Sequence, residues 1–320
     1  MADVLHMRVI APKGRTDEVC AALEDCVGVT NVIVHPDAAR RPAGDVVLCD
    51  LARESANEVI ERLQALDIDH EGSIALERVD LSLSDVADHA EQAAPGHGDD
   101  AVVWEELAER TADDTRLTWS FVAFLVLATQ LAGIAALIDS PVLVVGAMVL
   151  GPEFGAVAAI CLGLLVGDLG RIGRALRTLA VGFCAAIAVT FVCALAGRWT
   201  GVIETAGLPV ERPLTAFIYS PDRWSFIVAL LAGAAGVLSL TAGKSSALVG
   251  VFISVTTVPA AGNLAVALAL GHRSEISGSV LQLLVNLAGM VIAGLVTLLV
   301  QRVVWDLIRK RQTRGRFPTT

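Results

Sequence analysis

The pattern of hydrophobic positions along the chain changes near residue 119. Before that point, short segments alternate apolar and polar residues or repeat apolar residues at helical spacing, as soluble domains do. After it, apolar segments of about 20 residues follow one another, and that is the length of a helix that crosses a bilayer. The pattern therefore predicts a soluble N-terminal part followed by a membrane-spanning part.

Residues 1–83 predict a small α+β domain. Strands are predicted over 4–11, 29–35, 45–51 and 72–82, and helices over 15–27 and 55–66. The resulting order, β-α-β-β-α-β, is that of the ferredoxin-like split βαβ fold. Such a domain can sense a small molecule or mediate assembly, or it can be a packing domain that binds nothing, because a fold does not fix a function.

Residues 84–118 connect the two parts of the chain. The stretch 84–100 is small, polar and acidic, and we interpret it as a linker. Residues 101–118 predict an amphipathic helix that leads into the membrane along its surface.

The remaining sequence predicts an all-α transmembrane domain over residues 119–305. Six apolar segments are expected to cross the bilayer, and they cover residues 119–138, 141–166, 178–197, 224–242, 246–270 and 280–300. Each segment is apolar all round, which excludes an exposed helix of a soluble protein.

Charge is distributed unevenly between the two parts. Residues 1–100 hold 21 acidic and 8 basic side chains, whereas the whole chain has a net charge of −10. Acidic soluble sequence without a basic patch argues against nucleic acid as a partner. The basic residues that flank the apolar segments fall on one side of a six-helix arrangement, which should be cytoplasmic. They are Arg171, Arg174, Arg177, Lys244 and the basic residues of the tail 306–320. We therefore expect a multi-pass protein of the cell inner (plasma) membrane with both termini in the cytoplasm.

The apolar half contains a weak internal repeat. Ser120-Phe121 matches Ser225-Phe226, Pro152 matches Pro259, and Gly155 matches Gly262, at offsets of 105 to 107 residues. Because each unit would have three crossings, the second unit would be inverted in the membrane. A 3+3 inverted repeat is a feature of secondary transporters.

The second and fifth segments are interrupted by proline and glycine near their middle. A proline there removes a backbone donor and breaks the helix, and the freed carbonyls must face protein or water rather than lipid. Two broken helices therefore predict a substrate or ion site between them. The candidate residues are Glu153, Gly151, Pro152, Gly155, Ser254, Thr256, Thr257, Pro259 and Asn263.

Glu153 is the leading candidate, because a carboxylate deep in a bilayer is costly and usually has a role. We interpret it as a proton or cation site, and the alternative is a carboxylate that only satisfies the amides of a half-helix. The hydroxyl groups of the fifth segment could instead bond their own backbone. Weaker polar candidates of the same kind are Gln130, Gln282 and Asn286.

Enzymatic chemistry is not indicated by the sequence. The six cysteines form no C-x-x-C pair, and no metal-ligand motif, nucleophile elbow or phosphate-binding glycine loop is present. We therefore predict no catalytic residue, no metal site and no cofactor.

The run from Ser140-Pro141 through Gly146-Ala147-Met148 to Pro152 resembles a motif of the domain-of-unknown-function 389 (DUF389) family of membrane proteins. The run 163–168, Val249-Gly250 and Pro259 extend the resemblance over roughly residues 119–300. The resemblance implies the membrane architecture but no substrate. Glu153 departs from the family pattern, which places apolar residues after the break.

Two functions remain open from the sequence. The first is a membrane transporter or channel for a small solute or ion, assembled or gated by its cytoplasmic domain. The second is a membrane-anchored sensor or scaffold whose soluble domain binds a small metabolite. In either case the expected partners are the lipid bilayer and another copy of the chain, because the sheet edges of ferredoxin-like domains favour pairing.

Overall fold

The computed structural model describes residues 4–79, 81–94, 98, 101–203, 212–242 and 256–315, with side chains as far as residue 308. The chain divides into two compact units, one of residues 1–106 with 302–320 and the other of residues 107–301. The division falls close to the change of hydrophobic period at residue 119.

Four antiparallel strands form the sheet described in the first unit. They are β1 (Val4–Pro12), β2 (Val29–Arg40), β3 (Ala43–Ala52) and β4 (Ser73–Arg78), in the order β2-β3-β1-β4. In β1, Leu5 lies opposite Leu51 of β3 on one side and opposite Arg78 of β4 on the other. Helix α1 (Thr16–Glu24) follows β1 and helix α2 (Ala56–Ala65) follows β3, so the predicted order of elements is present.

The core of this unit follows the two predicted periods. Leu5, Met7, Val9 and Ala11 of β1 are buried, and they alternate with residues that are more exposed, as a strand with one buried face requires. The helices contribute residues at helical spacing to the same core, namely Val19, Leu23, Val59, Ile60 and Leu63.

The linker predicted over 84–100 is partly wrong, because it contains a helix. After the short helix α3 (Ile68–Glu71) and β4, helix α4 covers Asp85–Ala93. The Ser84 hydroxyl caps it by accepting a hydrogen bond of 3.2 Å from the amide of Ala87. Ala87 is buried in a small cluster with Val4, and this packing stabilises a helix that an acidic composition alone disfavours.

Buried polar contacts tie residues 101–106 to this first unit. The Arg53 guanidinium is almost fully buried and donates to the carbonyl of Ala101 (3.0 Å) and to Glu106 (3.2 Å). The Asn57 amide donates to the carbonyl of Val102 at 2.7 Å. Helix α5 then runs over Trp104–Asp114 and is shorter than the predicted helix 101–118, since Thr118 instead caps the next helix.

The described part of the second unit is mostly helical. Its helices are α6 (Trp119–Leu137), α7 (Pro141–Leu150), α8 (Glu153–Val166), α9 (Leu169–Trp199), α10 (Arg223–Thr241), α11 (Thr257–Leu270) and α12 (Arg273–Gly315). Within the described ranges, α6, α9, α10 and α12 are long and apolar enough to cross a membrane, and α7 with α8 would make a fifth, bent crossing. The predicted count of six crossings stays a prediction, because the first part of the segment 246–270 lies outside the described residues.

The third and sixth predicted segments are longer in the structure than in the prediction. Helix α9 begins at Leu169 rather than at residue 178, because the Asp168 carboxylate caps it by accepting from the amide of Arg171 at 2.9 Å. Arg171, Arg174 and Arg177, which flank the predicted third segment, therefore lie on the same helix as that segment. Helix α12 likewise extends the segment 280–300 in both directions and includes most of the predicted basic tail.

Helix boundaries in the second unit recur with one spacing of 104 residues. Helices α6 and α10 are each 19 residues long, and α8 and α11 are each 14 residues long. Each member of the second pair ends at a glycine with positive φ, Gly167 and Gly271. The starts of α9 and α12, Leu169 and Arg273, have the same separation.

Glycines permit the closest helix contacts in this unit. A Cβ atom added to Gly233 of α10 would lie 2.5 Å from the carbonyl oxygen of Met290 in α12. A Cβ atom on Gly262 of α11 would lie 2.5 Å from the Ala132 side chain of α6, and one on Gly236 of α10 would meet the Phe154 ring of α8 at 2.1 Å. These helices therefore pack backbone against backbone or backbone against side chain.

Candidate functional site

The predicted break in the second apolar segment is present between α7 and α8, which meet at an angle of 55°. Helix α7 begins with Pro141 in its first turn and ends at Leu150, and the backbone of Gly151 after it is extended. Pro152 precedes the first residue of α8. Because Pro152 has no amide hydrogen and Gly151 leaves helical geometry, the ladder of α7 cannot continue into α8.

Glu153 is the first residue of α8, and it is buried, with 5% of its surface exposed. One of its carboxylate oxygens, Oε1, accepts a hydrogen bond from the hydroxyl of Thr257. Thr257 is the first residue of α11 and is fully buried. The amino ends of two short helices, which carry positive partial charge, therefore meet beside a buried carboxylate.

Two glycines make room for this arrangement. A Cβ atom on Gly151 would lie 2.3 Å from Oε2 of Glu153 and 2.8 Å from the Val258 side chain of α11. A Cβ atom on Gly155 would lie 2.3 Å from Oδ2 of Asp114, at the end of α5. The glycines predicted from the interrupted sequence thus allow carboxylates to approach the backbone on both sides of the first turn of α8.

Thr256 connects this meeting point to α12. Its hydroxyl oxygen accepts hydrogen bonds from the side-chain amides of Gln282 (2.8 Å) and Asn286 (2.6 Å). The two amide residues, which the sequence marked as weaker candidates, lie one turn apart on α12 and are almost fully buried. They therefore position the residue that directly precedes Thr257.

A cavity of about 340 Å³ reaches these polar groups. Its walls are mostly apolar and come from α7, α10 and the segment before α10, and its lining includes Val144, Met148, Phe217, Trp224, Thr256 and Asn286. The exposed Asp222 also lines it, and hydrogen bonds from Ser225 hold the pKa of this carboxyl below its usual range. An apolar cavity with a few polar groups at one end is typical of a small-molecule site.

Asn263 lies in a different network from Glu153. Its side-chain oxygen accepts from the Arg212 guanidinium at 2.9 Å, and its amide donates to Glu275 (3.2 Å) and Ser279 (2.9 Å). Arg212 also pairs with Glu275, and its guanidinium lies 4.6 Å from the centre of the Tyr219 ring. This buried ion pair links α11, α12 and the segment before α10.

The structure thus brings together most of the predicted site residues. Glu153, Gly151, Pro152, Thr257 and Thr256 surround the meeting point of α8 and α11, whereas Ser254 lies outside the described residues. Gly155 lies within the first turn of α8. Pro259 is the third residue of α11, where its missing amide hydrogen would have had no partner within the helix.

Sequence reasoning did not single out Asp114, Arg212 or Glu275. All three lie outside the predicted apolar segments, where charged residues are common and therefore do not indicate a site. For Asp114 and Glu275, a usable signal was their position a few residues before a predicted apolar segment, because charges there can fold back onto the helix ends. Arg212 lies far from both neighbouring segments and gave no such signal.

Residues 148–292 match the model of the Domain of unknown function (DUF389). This part of the chain is similar to the DUF389 family. The matched region runs from the last turn of α7 through the break and α8 to the middle of α12, so it contains Glu153, Thr256 and Thr257. The predicted resemblance is therefore confirmed for the part of the chain that carries the candidate site.

A relative of this chain is an uncharacterised protein of Methanocaldococcus jannaschii, which is 25% identical over 195 residues. The match covers 61% of this chain and 58% of that protein, so the chain spans less than two thirds of its relative. No solved structure matches the chain significantly.

Proposed function

We propose that this protein transports a small solute or ion across a membrane, with the binding site where α8 and α11 begin. The observation that carries the proposal is the contact between Glu153 and Thr257. A buried carboxylate at a helix break inside a set of apolar helices is costly, and such residues mark substrate or ion pathways. A plain anchor needs no such break.

The repeated helix boundaries support an inverted repeat of three crossings each. Glu153 and Thr257 are separated by 104 residues, the same spacing as the starts of α6 and α10. Ala132 of α6 contacts α11 through Gly262, and Gly236, which is 104 residues after Ala132, contacts α8 through Phe154. Two positions 104 residues apart, Ala132 and Gly236, thus each contact the short helix of the other half. A two-fold relation between the halves predicts such an exchange.

The cavity gives a solute access to the proposed site. It is lined by Pro141 at the start of α7 and by Asp222 before α10, and it reaches Thr256 next to Thr257. In the orientation that the basic residues favour, these helix starts face the side opposite the cytoplasm. A solute would enter there and bind at the amino ends of the two short helices.

Flux measurements in proteoliposomes test the proposal. The purified protein is reconstituted and assayed with a panel of monovalent cations, inorganic anions and small neutral solutes. We expect flux of at least one panel member with the wild type, and a loss of roughly tenfold or more with Glu153→Gln. Glu109→Gln makes the same chemical change on the exposed face of α5 and should leave the flux unchanged.

Two results would count against transport. One is the absence of flux for every panel member although the protein is folded and correctly reconstituted. The other is equal flux in Glu153→Gln and wild type for every transported species. The first result would leave the membrane-anchored sensor as the better account.

A further inference from the structure

A second carboxylate lies on the other side of the first turn of α8. The Oδ2 atom of Asp114 would be 2.3 Å from a Cβ atom on Gly155, and its Cγ atom would be 2.4 Å away. The Asp114 carboxylate therefore rests against the α8 backbone at a place that only glycine leaves open. Asp114 is nevertheless an exposed residue, so it is accessible to water as well as to this helix end.

Glu153, two residues earlier on α8, has one oxygen without a hydrogen-bond partner in the described part of the chain. Thr257 donates to Oε1, whereas Oε2 is buried and faces the space that Gly151 leaves open. A buried carboxylate oxygen without a donor is unfavourable. It is satisfied by a species that brings a hydrogen-bond donor or a positive charge, and a proton is the smallest such species.

The helices that meet beside Asp114 carry several charged groups. Arg110 and Asp113 belong to α5 itself, and Glu153 belongs to α8. From α9, Arg171 donates to the Ala108 carbonyl and the Thr111 hydroxyl of α5 and pairs with Asp168. Helix α11, which bonds Glu153, carries no titratable residue. Although the residue as a whole is exposed, contact with α8 removes water from its carboxyl group. This desolvation and the nearby Asp113 raise the pKa of Asp114, and Arg110 opposes the shift.

We propose that Glu153 and Asp114 are two proton-binding positions on either side of the first turn of α8, and that protons move between them as a solute is transported. In this step the O–H bond on Asp114 breaks, its proton passes through water in the pathway, and a new O–H bond forms on Oε2 of Glu153. Charge is conserved, because one carboxylate becomes neutral as the other becomes ionised. Water then supplies a new proton to the Asp114 carboxylate, and the O–H bond on Glu153 breaks as its proton leaves with water on the other side of the break, which returns both groups to their starting states. The inference rests on the proposed transport function and assigns protons as its coupling ion.

The first experiment measures proton movement in proteoliposomes that contain a pH-sensitive dye. A gradient of a transported panel solute is imposed, and the change in internal pH is recorded. We expect the solute gradient to change the internal pH with the wild type, no change with Glu153→Gln, and a rate roughly tenfold lower with Asp114→Asn. Glu109→Gln, on the exposed face of α5, should behave as the wild type.

The outcomes separate this inference from the proposed function. Solute flux at the wild-type rate without any change in internal pH would overturn proton coupling and leave transport intact. Equal pH changes in Asp114→Asn and Glu109→Gln would remove Asp114 from the route. The absence of solute flux in all preparations would instead contradict transport itself.

Infrared spectroscopy of the purified protein gives a readout that does not require transport. A protonated carboxyl group absorbs apart from a carboxylate, so titration should reveal bands that disappear in Glu153→Gln and in Asp114→Asn separately. A titration in which both variants match the wild type would overturn the inference. Melting curves of each variant establish that it is folded before either measurement is interpreted.

Discussion

Glu153 and Thr257 are 104 residues apart in the sequence, yet the hydroxyl of Thr257 donates to the Glu153 carboxylate. Each is the first residue of a helix of 14 residues, and each helix ends at a glycine with positive φ. The contact therefore joins the amino ends of two helices of equal length. Oε1 of Glu153 accepts this hydrogen bond, whereas Oε2 is buried without a hydrogen-bond partner in the described part of the chain.

Loss of the Thr257 hydroxyl should weaken this contact without changing the helix. Thr257→Val keeps the shape of the side chain but leaves Oε1 of Glu153 without its donor, so we expect the free energy of unfolding to fall by about 1–3 kcal/mol. Thr257→Ser retains the hydroxyl and should cost less. Denaturation in detergent measures both, and a double-mutant cycle with Glu153→Gln should give a coupling of about 0.5–3 kcal/mol. A coupling of zero would show that the two side chains do not interact.

Gly233 should tolerate no side chain. A Cβ atom there would lie within 3 Å of three backbone atoms of Met290, so Gly233→Ala must move α10 away from α12. We expect a loss of about 1–3 kcal/mol from this overpacking. Gly173 in α9 has no atom within 4 Å of its added Cβ, so Gly173→Ala should be neutral or stabilise the helix by up to about 1 kcal/mol. Equal effects of the two substitutions on the melting temperature would contradict the described packing.

The buried ion pair between Arg212 and Glu275 should be essential for the stability of the helical unit. Glu275→Ala leaves the Arg212 charge buried without its carboxylate, which typically costs about 3–5 kcal/mol. Glu77→Ala removes a carboxylate at an exposed position of β4 and serves as the control. If both variants melted at the wild-type temperature, Arg212 could not be buried as described.

Cys49 should resist alkylation in the folded protein. It lies on β3 with no exposed surface, and burial raises the pKa of its thiol to about 12. Because the folded state holds this proton more tightly than the unfolded state, the thiol's contribution to stability is present below about pH 8.5 and is lost as the pH rises towards the folded pKa. Mass spectrometry after iodoacetamide treatment at pH 8 should find Cys49 modified only in denaturant. Rapid modification of the native protein would contradict its burial.

The sequence was most informative where periodicity and chain-breaking residues coincide. Alternation in β1 and helical spacing in α2 predicted the sheet and its core, and Pro152 with Gly151 predicted the break before α8. Helix ends were less predictable. The start of α9 depends on a cap from Asp168, and the helix α4 depends on the burial of Ala87 against Val4. Both contacts form only in the folded chain.

The candidate site could be predicted in its residue types but not in its pairings. Glu153, Thr257 and Asn263 are all polar residues in apolar sequence, yet only the first two bond each other. Asn263 lies six residues along α11 from Thr257, and its partners include Arg212, whose position comes from the approach of a distant segment. Such tertiary partners cannot be inferred from helical spacing alone.

Water access to the break between α7 and α8 tests the transport account most directly. Three variants are compared in a cysteine-free background. Pro152→Cys places a thiol at the break, Ala232→Cys places one at a buried position of α10, and Val192→Cys places one at an exposed apolar position of α9. If water reaches the break, a membrane-impermeant thiol reagent should modify Pro152→Cys in proteoliposomes and should modify neither of the other two variants. Protection of Pro152→Cys as complete as that of Ala232→Cys would contradict a water-filled path to Glu153.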